Sequence, residues 1–125
     1  MLLNYTPHDI NVITDTTFNP TIRKFTAPAG TEPSITIKSS GVLNARISTV
    51  ANGELESVPL FTKEIQGCDE LPELGPDDYV IVSALYASAY RATHDDCSKL
   101  LLVADPVMSE DGKTFLGCRG LAPIF

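Results

Sequence analysis

A chain of 125 residues, 43% apolar and 20% charged, fits one domain, 1–125, that can bury a core without disulfide or metal staples, and it excludes a disordered polypeptide. Nine Lys and Arg against sixteen Asp and Glu leave a net charge of −7, which repels a phosphate backbone and argues against a nucleic-acid polymer as partner. A small anion stays open, because one pocket can be locally basic on an acidic protein.

The opening MLLNYTPHDINV has no basic n-region, no long apolar h-region and no small-residue cleavage site, and no apolar run in the chain approaches a membrane span. A soluble, unexported protein with no membrane partner is expected. The three cysteines, Cys68, Cys97 and Cys118, are odd in number and widely spaced, which points to a reducing compartment rather than a disulfide framework. Asn4-Tyr5-Thr6 matches a glycosylation acceptor, which carries no weight without export.

Up to residue 67, short β-branched segments alternate with turn residues, predicting strands at 10–14, 21–25, 34–38, 42–50 and 55–62 in a meander or small barrel. Residues 18–20 and 27–30 carry Pro, Gly and Asn and read as loops. Between 46–50 and 55–58, Asn52-Gly53 supplies the positive φ angles of a two-residue turn, which predicts a hairpin folded there. The acidic stretch GCDELPELGPDD, 67–78, reads as a connector. Beyond it, a continuous apolar run at 79–82 predicts an interior strand, 83–92 a helix, and 100–103 a second interior strand that ends at Ala104-Asp105-Pro106. That order is a β-α-β crossover. Glu110-Asp111-Gly112-Lys113 is a turn into a last strand, 114–119, hairpinned with what precedes it. The expected class is α+β: a mainly antiparallel β-sheet or small barrel with one β-α-β unit near the C-terminus.

Ser83, between strand and helix, is placed to cap the helix with its hydroxyl. The N–H groups and positive dipole end behind it suit an anionic group, although no glycine-rich phosphate loop precedes them. Leu85, Ser88, Ala89 and Ala92 recur at helical spacing and are mostly small, as close packing requires, while Tyr86 and Tyr90 share another face as a packing ridge or as a platform for a base. Arg91 ends the helix, where its charge suits the dipole. His8 follows a turn and adjoins Asp9, but neighbours on a strand point apart, so a structural hydrogen bond is the favoured role. His94-Asp95-Asp96-Cys97 lacks a second ligand pair, and no metal is expected there. Cys118 reads as a buried, inert thiol, and Arg23, Arg46 and Arg119, on predicted strands, as partners for an anion or for surface carboxylates. No catalytic grouping and no cofactor motif emerges.

Taken together, the opening Asn4-Tyr5-Thr6-Pro7-His8-Asp9-Ile10, Gly67 with Leu71-Pro72-Glu73, Tyr79-Val80-Ile81-Val82-Ser83-Ala84-Leu85, and Glu110-Asp111-Gly112 with Gly117-Cys118-Arg119-Gly120-Leu121 resemble small uncharacterised proteins of tailed bacteriophages and prophages. The resemblance implies a soluble accessory protein in the cytoplasm of an infected bacterium, non-enzymatic, acting by binding. The sharpest expectation is an anti-defence sponge, a homo-oligomer that sequesters a small anionic nucleotide immune signal through Ser83, Tyr86, Tyr90, Arg91, Arg119 and His8. An inhibitor of a host protein and a minor virion component are the alternatives.

Overall fold

In chain order the computed structural model, which describes residues 1–124, runs β1 (Leu2–Asn4), β2 (Ile10–Val12), β3 (Thr17–Asn19), β4 (Lys24–Ala27), β5 (Ile35–Ile37), β6 (Ala45–Leu55), β7 (Val58–Cys68), β8 (Tyr79–Ile81), α1 (Ala84–Thr93), β9 (Leu100–Ser109) and β10 (Phe115–Pro123). The body is one sheet in the order β1-β8-β9-β10-β2-β5. A bridge from Asn4 to Ser39, just past β5, brings its two ends together, and the Ser40 N–H donates to the Asn4 carbonyl at 2.7 Å. The result is a nearly closed barrel, which leaves few strand edges unpaired. No described helix is long and apolar enough to cross a membrane.

The mainly β class with one helix is as expected, but the sheet is mixed rather than mainly antiparallel. The pairs β1–β8, β8–β9, β4–β9 and β10–β2 are parallel, and β9–β10, β2–β5 and β3–β4 antiparallel. Strands of three residues, such as β1, β2 and β5, carry too little periodicity to reveal a distant partner.

The crossover β8-α1-β9 is present, with β8 and β9 parallel neighbours. Its unbroken apolar strand has a simple cause: Val80 and Val82 pack beneath α1 with Tyr86, Tyr90 and Leu100, while Ile81 points the other way into a cluster with Ile10, Val12 and Cys118. β9 runs on through Asp105-Pro106 instead of ending there. Cys118, opposite Pro106, gives its carbonyl to the N–H of Ile13, just past β2, so Pro106 occupies a position that owes β10 no donor. One edge of β9 then serves β8 at Leu100 and Leu101 and β4 from Val107 to Ser109, with the left-handed Asp105 (φ 53°) at the changeover.

Two local expectations move. The predicted strand at 21–25 splits into a turn ending at Arg23 (φ 54°) and β4, and 17–19, partly taken as loop, becomes β3; the Asn19 side chain accepts the Thr21 N–H at 2.9 Å and makes the turn. The β6–β7 hairpin turns at Glu56-Ser57, both at positive φ (50° and 67°), and not at Asn52-Gly53. Ala51 faces Phe61 and Glu54 faces Pro59, so one extra residue of β6 is accommodated at Asn52-Gly53 as a bulge, with Gly53 at φ 74°. Among the described residues these two long strands pair only with each other, and they form an arm beside the barrel. Its base is held by the Asp69 carboxylate, which takes the Asn44 N–H at 2.8 Å and an Arg46 guanidinium N–H at 3.1 Å.

Candidate functional site

A cavity of about 410 Å³ opens where three distant segments meet at one end of the barrel. Thr6, His8, Asp9, Ile10 and Asn11 come from the β1–β2 turn and β2. Val82, Ser83 and Ala84 come from the strand-to-helix junction, and Leu102, Val103, Phe115, Gly117 and Cys118 from β9 and β10. The lining is chiefly apolar, with a few polar groups at the β1–β2 turn and the helix start, the usual make-up of a small-molecule site.

The β1–β2 turn is set by Asn4, whose side-chain Nδ2 donates to the His8 carbonyl at 2.8 Å while its Oδ1 accepts the Thr6 N–H at 2.9 Å. Asp9 leaves the turn already engaged: its carboxylate accepts the Ser39 N–H at 2.8 Å and lies 3.1 Å from the Lys38 ammonium, and these two contacts, the N–H foremost, hold it below the ordinary carboxylate range. Asn11 accepts the Thr36 hydroxyl at 2.9 Å. The Cys118 thiol is 1% exposed and burial pushes its pKa up, which keeps it protonated and unreactive.

Ser83 is the N-cap, in extended conformation (φ −70°, ψ 156°), and its hydroxyl accepts the Tyr86 N–H at 3.2 Å. Ser83 and Ala84 thus bring the start of α1, and with it the positive end of the helix dipole, to the cavity wall. Gly117 is required by close approach: a Cβ there would lie 2.4 Å from the Asn11 carbonyl oxygen.

Of the six residues singled out from the sequence, Ser83 and His8 line this cavity. Arg91 lies in an adjoining hollow of about 130 Å³ that shares Ala84 and Leu102 with it. Arg119 is turned away to β9 and β4, bonded to Asp105 at 3.0 Å and stacked 3.9 Å above the Phe25 ring. Tyr86 and Tyr90 form no ligand platform. They belong to the buried face of α1 with Ala87 and Ala89, while Leu85, expected on the packed face, is 49% exposed. The larger apolar area of the two rings outweighs the small residues in choosing which face turns inward.

The Tyr86 hydroxyl donates to the Asp69 carbonyl at 2.7 Å, and burial raises its pKa far above the ordinary phenol value. Tyr90 stacks on His94 with ring centroids 3.8 Å apart. We expect Tyr86→Phe to lower stability by about 1 kcal/mol in urea unfolding, the value of one buried hydrogen bond, with ligand affinity unchanged. A loss of affinity without loss of stability would restore Tyr86 to the site.

Phe115, Leu102 and Val103 were missed in the sequence because apolar strand residues look alike whether they face a core or a cavity. Searched against known proteins, the chain matches no family model, no curated protein and no solved structure.

Proposed function

We propose that the protein is a non-enzymatic phage accessory protein that sequesters a small nucleotide-like ligand in the cavity at the start of α1. The observation that carries this reading is the convergence of a largely apolar cavity of about 410 Å³ with a helix N-terminus at its wall. A flat heterocycle fits against Val82, Leu102 and Phe115, and an anionic group fits the N–H groups behind Ser83. A ligand that outgrows the cavity passes over Ala84 and Leu102 to Arg91, which suits a second charged group. Sequestration needs only holding, so the engaged Asp9 and the buried Cys118 have no step to perform.

Calorimetry with cyclic mononucleotides, cyclic dinucleotides and ADP-ribose-type nucleotides, together with mass spectrometry of whatever denatured protein releases, tests the proposal. One of these classes should bind with the ligand recovered chemically intact. Leu102→Trp, which fills the cavity from a partly exposed position, should weaken it by about tenfold or more with the circular dichroism spectrum unchanged. Absence of binding to all of them, with nothing released on denaturation, would sink the sponge reading.

A further inference from the structure

The β6–β7 arm spends an unusual share of its side chains on water. Ile47, Val50, Leu55, Val58, Leu60, Phe61 and Ile65 are each 36–66% exposed. A two-stranded ribbon is marginal by itself, and an exposed apolar one marks an interaction surface. Partner residues across a ladder share a face, so the register Ile47–Ile65, Thr49–Lys63, Ala51–Phe61 and Glu54–Pro59 places these eight residues on one face. Along it, Phe61 is the largest apolar side chain and is 62% exposed. Lys63 stands one step toward the base from it and Glu54 one step toward the tip. Among the described residues neither has an ion-pair partner.

This face is complementary to itself. A two-fold axis crossing the ribbon at the Ala51–Phe61 pair lays Phe61 on Phe61 of a second copy and brings each Lys63 level with the other copy's Glu54, twice by symmetry. Strands in a ribbon lie about 5 Å apart, an offset that a lysine side chain spans. By the same symmetry Ile47 and Ile65 of each copy lie against the other copy's turn at Glu56-Ser57, at the limit of the overlap. The arms then run antiparallel, so the two bodies, which hold most of the net charge of −7, sit at opposite ends of ribbons about 30 Å long, well beyond the Debye length of about 8 Å. The arm base is already pinned, with Arg46 donating to the Asp69 carboxylate at 3.1 Å and to the Cys68 carbonyl at 2.9 Å, which reduces the ordering cost of docking.

The geometry points to a homodimer formed by antiparallel packing of the β6–β7 arms through the Ile47-Phe61-Ile65 face. It does not depend on what the cavity binds. A face two strands wide buries on the order of 400 Å² per copy, at the weak end of specific interfaces, so the dimer should be concentration-dependent with a micromolar dissociation constant.

Sedimentation equilibrium of the full chain from about 1 µM to about 1 mM reads this directly, with monomer giving way to dimer across the range. Phe61→Glu should leave monomer throughout. Lys63→Glu should weaken the dimer by about tenfold or more, and adding Glu54→Lys to it should restore most of the loss. Leu60→Glu, on the opposite face, should leave the dimer intact. A monomeric wild type at the highest concentration, a dimer that survives Phe61→Glu, or a charge swap that rescues nothing would each overturn the proposal.

Discussion

Replacing Asn4 by Ala should cost about 4 kcal/mol and lower the melting temperature by about 15 °C, a loss as large as that of truncating a buried core side chain. Asn4 has no exposed surface, and its amide is saturated: Nδ2 donates to the carbonyls of His8 (2.8 Å) and Ile37 (3.0 Å), and Oδ1 accepts from the Thr6 N–H (2.9 Å) and hydroxyl (2.6 Å). Alanine removes all four bonds and leaves part-buried donors and acceptors without this partner, at about 1 kcal/mol each. The consequences are not confined to stability. One side chain joins β1, the cavity turn and the end of β5 at the point where the barrel closes, so the variant should also lose ligand affinity. Asn4→Asp keeps the acceptor but buries a charge against two carbonyls, and should be no better. Urea unfolding measures both, and a loss below about 1 kcal/mol in Asn4→Ala would show that closure does not rest on this amide. The same burial explains why the glycosylation-like Asn4-Tyr5-Thr6 is structural, with the amide nitrogen already committed.

Gly117→Ala should cost about 3 kcal/mol and abolish ligand binding, whereas Gly120→Ala in the same strand should be close to neutral. The added Cβ at 117 meets the Asn11 carbonyl oxygen at 2.4 Å and the Asn11 C and Cβ atoms at 3.2 Å, mostly backbone that cannot swing aside. Relief comes only by prising β10 from β2, which would lose the Ile13 N–H bond to the Cys118 carbonyl at 2.8 Å and deform a wall of the cavity. At Gly120 a Cβ meets nothing within 4 Å and φ is not in the left-handed region. Thermal unfolding of the pair is therefore internally controlled. Equal melting temperatures for the two variants would refute the close-approach argument.

These two residues show how unevenly the structure was legible. Neither Asn4 nor Gly117 is assigned a role by residue order, because what makes each indispensable lies far along the chain: for Asn4 the Ile37 carbonyl that ties its turn to β5, for Gly117 the Asn11 backbone. His8 and Ser83 were picked as candidates and line the cavity. Arg119 was picked for its charge, but Asp105 opposite it on β9 and the Phe25 ring engage it elsewhere.

The Asn52-Gly53 pair carried an accurate conformational signal, positive φ at a glycine, attached to the wrong feature. Ladder pairs from Ile47–Ile65 to Leu55–Val58 set the register of the whole arm, and they consume the glycine as a bulge and move the turn to Glu56-Ser57.

Features set by short stretches of the chain were therefore readable from residue order: the strand at 79–81, the Ser83 cap, the helix, the parallel return and the turn at 110–113. Their causes are local, an apolar run, a hydroxyl at the right step, a spacing too long for a hairpin. Barrel closure through Asn4 and Ser39, the inward turn of Tyr86 and Tyr90, and the meeting of three segments at one cavity needed the folded chain. Each is settled by burial and hydrogen bonding between residues tens of positions apart, and short strands leave too weak a pattern for sequence to rank those pairings.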